Sequence, residues 1–174
     1  IRELAIRSLS GTVGHALMLG AATALAPRAG TFSQPLVLAL FGGLLALRIY
    51  ARRRALAQPD RRSFAMLASG ALGCNLLWGL MIANVESTEG VGLAAVVYAF
   101  FCCGIATGSV SALAPSSALQ RTALFALLAP GIVLAIVGGV PAFGVLHAIF
   151  LAYTLVTGTI VTRELWQTVA GNAK

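Results

Sequence analysis

Long apolar runs, each closed by a short polar or breaker-rich stretch, divide the chain into six segments. They run from Leu9 to Ala26, Gln34 to Tyr50, Ser63 to Ala83, Gly90 to Leu113, Thr122 to Gly139 and Pro141 to Val161. Each covers about 18 to 24 residues, which at roughly 1.5 Å of rise per residue crosses a hydrocarbon core of about 30 Å. The stretches between them, "APRAGTFSQP", "ARRRALAQPDRR", "NVESTEG", "APSSALQR" and "GGVP", carry the glycines, prolines and charges that stop helices. No alternation of apolar and polar residues marks a strand, so the pattern predicts helices and not a barrel. The expected fold is all-α, a polytopic membrane bundle of six transmembrane helices.

Composition agrees with this pattern. Hydrophobic residues make up 59% of the 174 and charged residues 10%, with a mean hydropathy of +0.91. A soluble domain covers itself with about 25% charged residues, which excludes that class here. The net charge of +7 is explained by placement and points to no nucleic-acid partner. Arg2, Arg7, Arg48, Arg52, Arg53, Arg54, Arg61, Arg62, Arg121, Arg163 and Lys174 fall on one side of the predicted topology, and only Arg28 of the twelve cations falls on the other. By the positive-inside rule both termini are cytoplasmic, with the bilayer of a bacterial inner membrane as the expected partner. Glu86 and Glu89 mark the outer third loop, and no acidic residue falls within a span. The opening "IRELAIRSLSG" lacks the apolar core and cleavage site of a secretory signal. Because the first residue is Ile1, the chain is expected to be a piece of a longer protein.

Candidate chemistry lies inside the spans. In the fourth, Gly104, Gly108 and Ala112 form a small-residue stripe expected at a helix–helix contact, within the bundle or across a dimer. Thr107, Ser109 and Ser111 can return their hydroxyls to the backbone. Depth estimates from the inner charges place Cys74 at roughly 18 Å, His147 at roughly 24 Å and the Cys102–Cys103 pair near roughly 20 Å. Asn75 and His147 thus share an expected layer near the midplane with these cysteines. Cys74, Cys102, Cys103 and His147 are the residues nearest to a metal set, but they lack paired ligand spacing, so no metal and no cofactor are expected. His15 lies roughly 12 Å deep, below this layer, and is expected to bond a neighbouring helix. The most distinctive motif is "GCNLLWGLM", where Trp78 precedes Gly79. Pro130 falls at a similar depth in the fifth span and, with Gly131, predicts a kink. Asn75, Trp78, His147 and Pro130 are therefore the candidate sensing residues, with an apolar small molecule as the candidate ligand.

A basic loop, a span with G-x-x-x-x-W-G (Gly73, Trp78, Gly79), a span with G-x-x-x-G ending in "ALAP" (Gly104, Gly108, Pro115) and a span with a central proline (Pro130) together form a pattern. It resembles the MASE-type six-helix membrane-associated sensor domains of bacterial histidine kinases and GGDEF or GGDEF–EAL proteins. The resemblance covers nearly the whole chain and implies signal input, as a homodimer, to a cytoplasmic output domain in the same chain. Residues 1–162 would then be the sensor domain, and residues 163–174 the start of a cytoplasmic signalling helix or linker. The residues of "TRELWQTVAGNAK" agree with this: Arg163, Glu164, Gln167 and Lys174 suit solvent, while Leu165, Trp166 and Val169 stay apolar. A small-solute transporter or channel is the alternative, against which stands the lack of intramembrane acids and of an internal repeat. An enzyme has the weakest case, since no HExxH, paired carboxylates or serine–histidine arrangement is present.

Overall fold

The computed structural model describes residues 1–25, 30–31, 33–138 and 140–171. Arg28 and Lys174, used above to assign the two sides, lie outside the described residues, as do the expected span ends at Ala26 and Gly139. The described residues form six helices: α1 (Arg2–Leu25), α2 (Gln34–Ala57), α3 (Arg61–Glu89), α4 (Leu93–Ala112), α5 (Ser117–Val137) and α6 (Pro141–Gly171). The architecture is an all-helical bundle. Five of the helices, α2 to α6, are long and apolar enough to cross a membrane, which suits a multi-pass membrane protein. α1 falls short of that apolarity, because Ser8, Ser10, Thr12 and His15 interrupt its runs.

Local signals account for the helix boundaries. Asp60 caps α3: its carboxylate accepts from Ser63 N–H at 2.6 Å, while the Ser63 hydroxyl accepts from Asp60 N–H at 3.1 Å. The bond to Ser63 N–H, with Arg54 beside it, holds the Asp60 carboxyl below its ordinary pKa. This cap is therefore complete above the ordinary carboxylate range and is lost as pH falls through the lowered value. Gly90 ends α3 with φ +59°, a conformation that L side chains rarely adopt. Pro141 opens α6 at a position where a helix needs no N–H.

α3 is the central helix. It packs most extensively on α5 and also on α2 and α4, while α6 packs on α5 and α1 on α2 and α4. Trp78 of α3 is fully buried and edges against Phe41 of α2 and Tyr98 and Phe101 of α4, with ring centroids 5.3 to 6.3 Å apart. Two apolar clusters result. The larger surrounds Trp78, and the smaller gathers Leu4, Ala51, Ala55, Leu67, Leu113 and Leu119. Between them lies a buried polar layer of Ser8, Thr12, His15, Arg48, Asn75 and Ser109.

α3 and α5 meet backbone to backbone at Gly79. The Leu127 carbonyl lies nearest to Gly79, and beside it is the Ala126 carbonyl, which lacks a donor at Pro130 and would lie 2.8 Å from an added Cβ. A Gly79→Ala substitution is therefore expected to force the two helices apart, destabilising the bundle by roughly 1–3 kcal/mol. Thermal unfolding of the detergent-purified protein measures it, and an unchanged midpoint would show that the contact has slack.

Candidate functional site

By its place in the sequence, just ahead of "ARRR", Arg48 groups with the cations around the basic loop. The structure puts it inside α2 and inside the bundle, 2% exposed. Helical phase explains why: Arg48 shares a face with Ala51 and Ala55, both fully buried, whereas Arg53 points outward. Two glycines make its slot. A Cβ at Gly70 would lie 2.6 Å from Arg48 Cγ, and one at Gly11 would lie 2.8 Å from Nη2.

The guanidinium finds little to bind. Its Nη2 is 3.5 Å from the Ser8 carbonyl, and Cys74 lies beside it. Its Nη1 is 3.2 Å from His15 Nδ1, but that nitrogen is also 2.6 Å from the Gly11 carbonyl. The shorter contact needs the proton on Nδ1, which then cannot accept from Arg48. The tautomer leaves His15 Nε2 as a lone-pair acceptor, and that atom is buried without a partner. No side-chain carboxylate reaches Arg48. Glu3 bridges Arg7 at 2.7 Å, Asp60 bridges Arg54 at 3.1 Å, Glu86 faces His147, and Glu89 and Glu164 are exposed at or beyond the ends of the bundle.

Arg48 and His15 border a cavity of about 260 Å³ between α1 and α4. The small-residue stripe of α4 forms its wall. Gly104 touches Met18 of α1, with a Cβ there 2.7 Å from Met18 Cε, while a Cβ at Gly108 or at Gly14 would meet nothing within 4 Å. Ala112 is buried at the inner end, its Cβ 3.5 Å from one placed on Gly11. The stripe thus brackets an open space. Asn75 closes the inner wall: its Nδ2 donates to the Ala71 carbonyl at 2.9 Å and its Oδ1 accepts from the Ser109 hydroxyl at 3.1 Å. Thr107 returns its hydroxyl to the Cys103 carbonyl, whereas Ser109 bonds across to α3.

The expected midplane layer divides in two. Asn75 and Cys74 belong with Arg48. His147 lies with Cys102 and meets α3 at Glu86, roughly 16 Å further along that helix than Asn75, and Cys103, the next residue, points outward. There, His147 Nδ1 donates to the Phe143 carbonyl at 2.7 Å, and Nε2 stands 3.6 Å from Glu86 Oε1. Both side chains are 4% exposed or less, and neither Glu86 oxygen has a hydrogen-bond partner. The sequence pattern puts Glu86 in a loop, but α3 continues through Glu89 and carries it into the interior. Gly131, next to Pro130, makes room for the His147 ring, since a Cβ there would lie 2.9 Å from Cδ2. Trp78 fills the core and does not touch this pair, and its Nε1 has no partner. Among the described residues no three His, Cys, Asp or Glu side chains converge as a metal set.

A third polar residue joins helices near the C-terminal end of α4. Gln120 of α5, 1% exposed, donates from Nε2 to the Val110 carbonyl at 2.6 Å, and its Oε1 is 3.5 Å from the Thr162 hydroxyl of α6. Val110 sits in the last turn of α4, whose carbonyls have no helical partner, so Gln120 caps that helix.

The site thus belongs to a multi-pass helical membrane protein with two buried polar centres, one a cation beside a cavity and one an acid–imidazole pair. Compared with known proteins, the chain matches no family model, no curated protein and no solved structure.

A buried carboxyl without hydrogen bonds costs stability unless function retains it. Glu86→Leu is expected to stabilise the fold by about 1–3 kcal/mol, read as a raised unfolding midpoint in detergent. A lowered midpoint would mean that the Glu86–His147 contact is net favourable.

Proposed function

We propose that the chain is a membrane-embedded sensory input module that receives a signal within the bilayer and passes it to a cytoplasmic output domain, a histidine kinase or a diguanylate cyclase, in the same chain. In this reading all six helices span a bacterial inner membrane, both termini are cytoplasmic, and the module works as a homodimer. This is the function implied by the resemblance to MASE-type sensor domains.

The observation that carries the reading is the link from cavity to α6. α4 forms the cavity wall, Gln120 ties the end of α4 to Thr162, and α6 continues without a break to Gly171. Its last turns leave the bundle, with Trp166 50% and Val169 44% exposed. A displacement of α4 at the cavity would reach the outgoing helix through one buried amide. A ligand shifts such an equilibrium only by binding its two states differently, and a cavity between two helices changes shape when they move. The cation beside the cavity also suits a small-anion transporter, the second reading. Uptake of labelled anion into proteoliposomes, absent from protein-free vesicles, would favour transport over sensing.

Two measurements test the proposal. In the full-length protein, Gln120→Leu is expected to change output activity about fivefold or more, the effect of losing a buried hydrogen bond worth about 1 kcal/mol or more. Unchanged output in a variant that folds like the parent would remove this link. For orientation, a Gln58→Cys variant is expected to react with a membrane-impermeant thiol reagent in inverted vesicles and not in intact spheroplasts. The reverse labelling would put the basic loop outside.

A further inference from the structure

We infer that the cavity between α1 and α4 is a binding site for the carboxylate of a membrane-partitioned aliphatic acid, held at its polar end by Arg48. The inference goes beyond the signalling role, because binding is measured without any output domain.

Charge is the first ground. A guanidinium removed from water costs several kcal/mol unless an anion and good hydrogen bonds compensate it. Arg48 is 2% exposed, none of the chain's carboxylate side chains reaches it, and its nearest carbonyl is at 3.5 Å. Arginine presents parallel N–H groups that match a carboxylate in bidentate fashion. One cation calls for one negative charge, which fits a carboxylate better than a phosphate dianion. His15 Nε2, buried and unpartnered beside the same cavity, adds a polar atom with no use inside the fold.

Shape is the second ground. The antiparallel pairing of α1 and α4 is fixed by Gly11 against Ala112 at one end and Met18 against Gly104 at the other. The cavity therefore runs about 10–12 Å along the helices. Arg48 and Ser10 lie at its first end, Met18 and Ile105 at its second. The volume of about 260 Å³ is at the lower edge of the usual range for small-molecule sites, roughly 300–1,000 Å³. Its mouth is lined by Gly14, Gly104 and Gly108, and the outer faces of these helices expose Val13, Leu17, Val96 and Phe100. An apolar rim of this kind faces acyl chains, so an acid can slide in from the bilayer with its tail toward Met18 and its head toward Arg48.

The test is binding of radiolabelled decanoate to the protein in phosphatidylcholine nanodiscs, with empty nanodiscs as the partition background. The expected result is saturable binding above background that weakens roughly tenfold or more in Arg48→Gln, the loss expected for a charge-assisted bidentate contact. Gly108→Leu is the second variant: its side chain enters open space, so the fold is expected to stand while the cavity is filled and decanoate is lost. Methyl decanoate, which keeps the tail without the charge, and acetate, which keeps the charge without the tail, are expected to compete poorly. Binding no greater than background, or equal binding by the parent and a folded Gly108→Leu protein, would overturn the site. Equal competition by acetate would overturn entry from the membrane, and equal displacement by phosphatidylglycerol would overturn the carboxylate.

Discussion

The bundle depends on one close approach, that of α3 to the broken hydrogen-bond ladder of α5. In a bilayer the hydrophobic effect does not press helices together, so association falls to dispersion contacts, and these need short distances. Gly79 supplies the distance. Two α5 carbonyls come against this glycine, that of Leu127 nearest and beside it that of Ala126, which Pro130 leaves without its helical donor. The residues on either side then fall into place. Trp78 is turned into the ring cluster with Phe41 and Tyr98, and Gly131 opens the slot that takes the His147 ring. A proline that would be costly alone becomes part of the packing.

α3, fixed in this way, separates two polar centres of different character. On the α1 side Arg48 carries a charge that the fold does not neutralise. On the α6 side Glu86 faces His147 at 3.6 Å with no hydrogen bond to either of its oxygens. The layer around Arg48 is better connected, since Asn75 and Ser109 hold each other and tie α3 to α4. What it lacks is an anion. Buried polar groups in a membrane protein are normally satisfied inside the protein, and groups left unsatisfied mark where something else binds.

Much of the fold was legible in the sequence. Apolar runs located all six helices, and Gly90 and Pro141 marked ends that the structure keeps. The link between Trp78, Gly79 and Pro130 was visible as a shared depth, although its content, a freed carbonyl against a glycine, needed the neighbouring helix. The sites were less legible, for two physical reasons. Depth counted from the loop charges treats the helix ends as level with one another, so it puts Asn75 and His147 in one layer, although His147 meets α3 at Glu86, about three turns beyond Asn75. Position along the chain alone counts Arg48, near the end of its span, with the cations around the basic loop and puts Glu86 in a loop. The signal that separates Arg48 from its neighbours is rotational: its spacing to Ala51 and Ala55 puts it on the face that packs inward. The small residues Gly11 and Gly70 are the matching trace on α1 and α3.

The small-residue stripe of α4 shows why a motif does not fix its own meaning. Gly104 and Gly108 have the spacing that brings two helices together, and at Gly104 they do meet, through Met18. One turn later the same spacing leaves a gap, because α1 presents Gly14 there instead of a side chain. Glycine facing glycine leaves a gap when larger neighbours on either side set the helix spacing, here Met18 against Gly104 and Ala112 against Gly11. The Arg48 guanidinium reaches Gly11 and Ser8 at one end of that gap. The buried cation and the empty volume thus adjoin: the charge that no carboxylate side chain reaches stands at one end of the space that the two glycines leave.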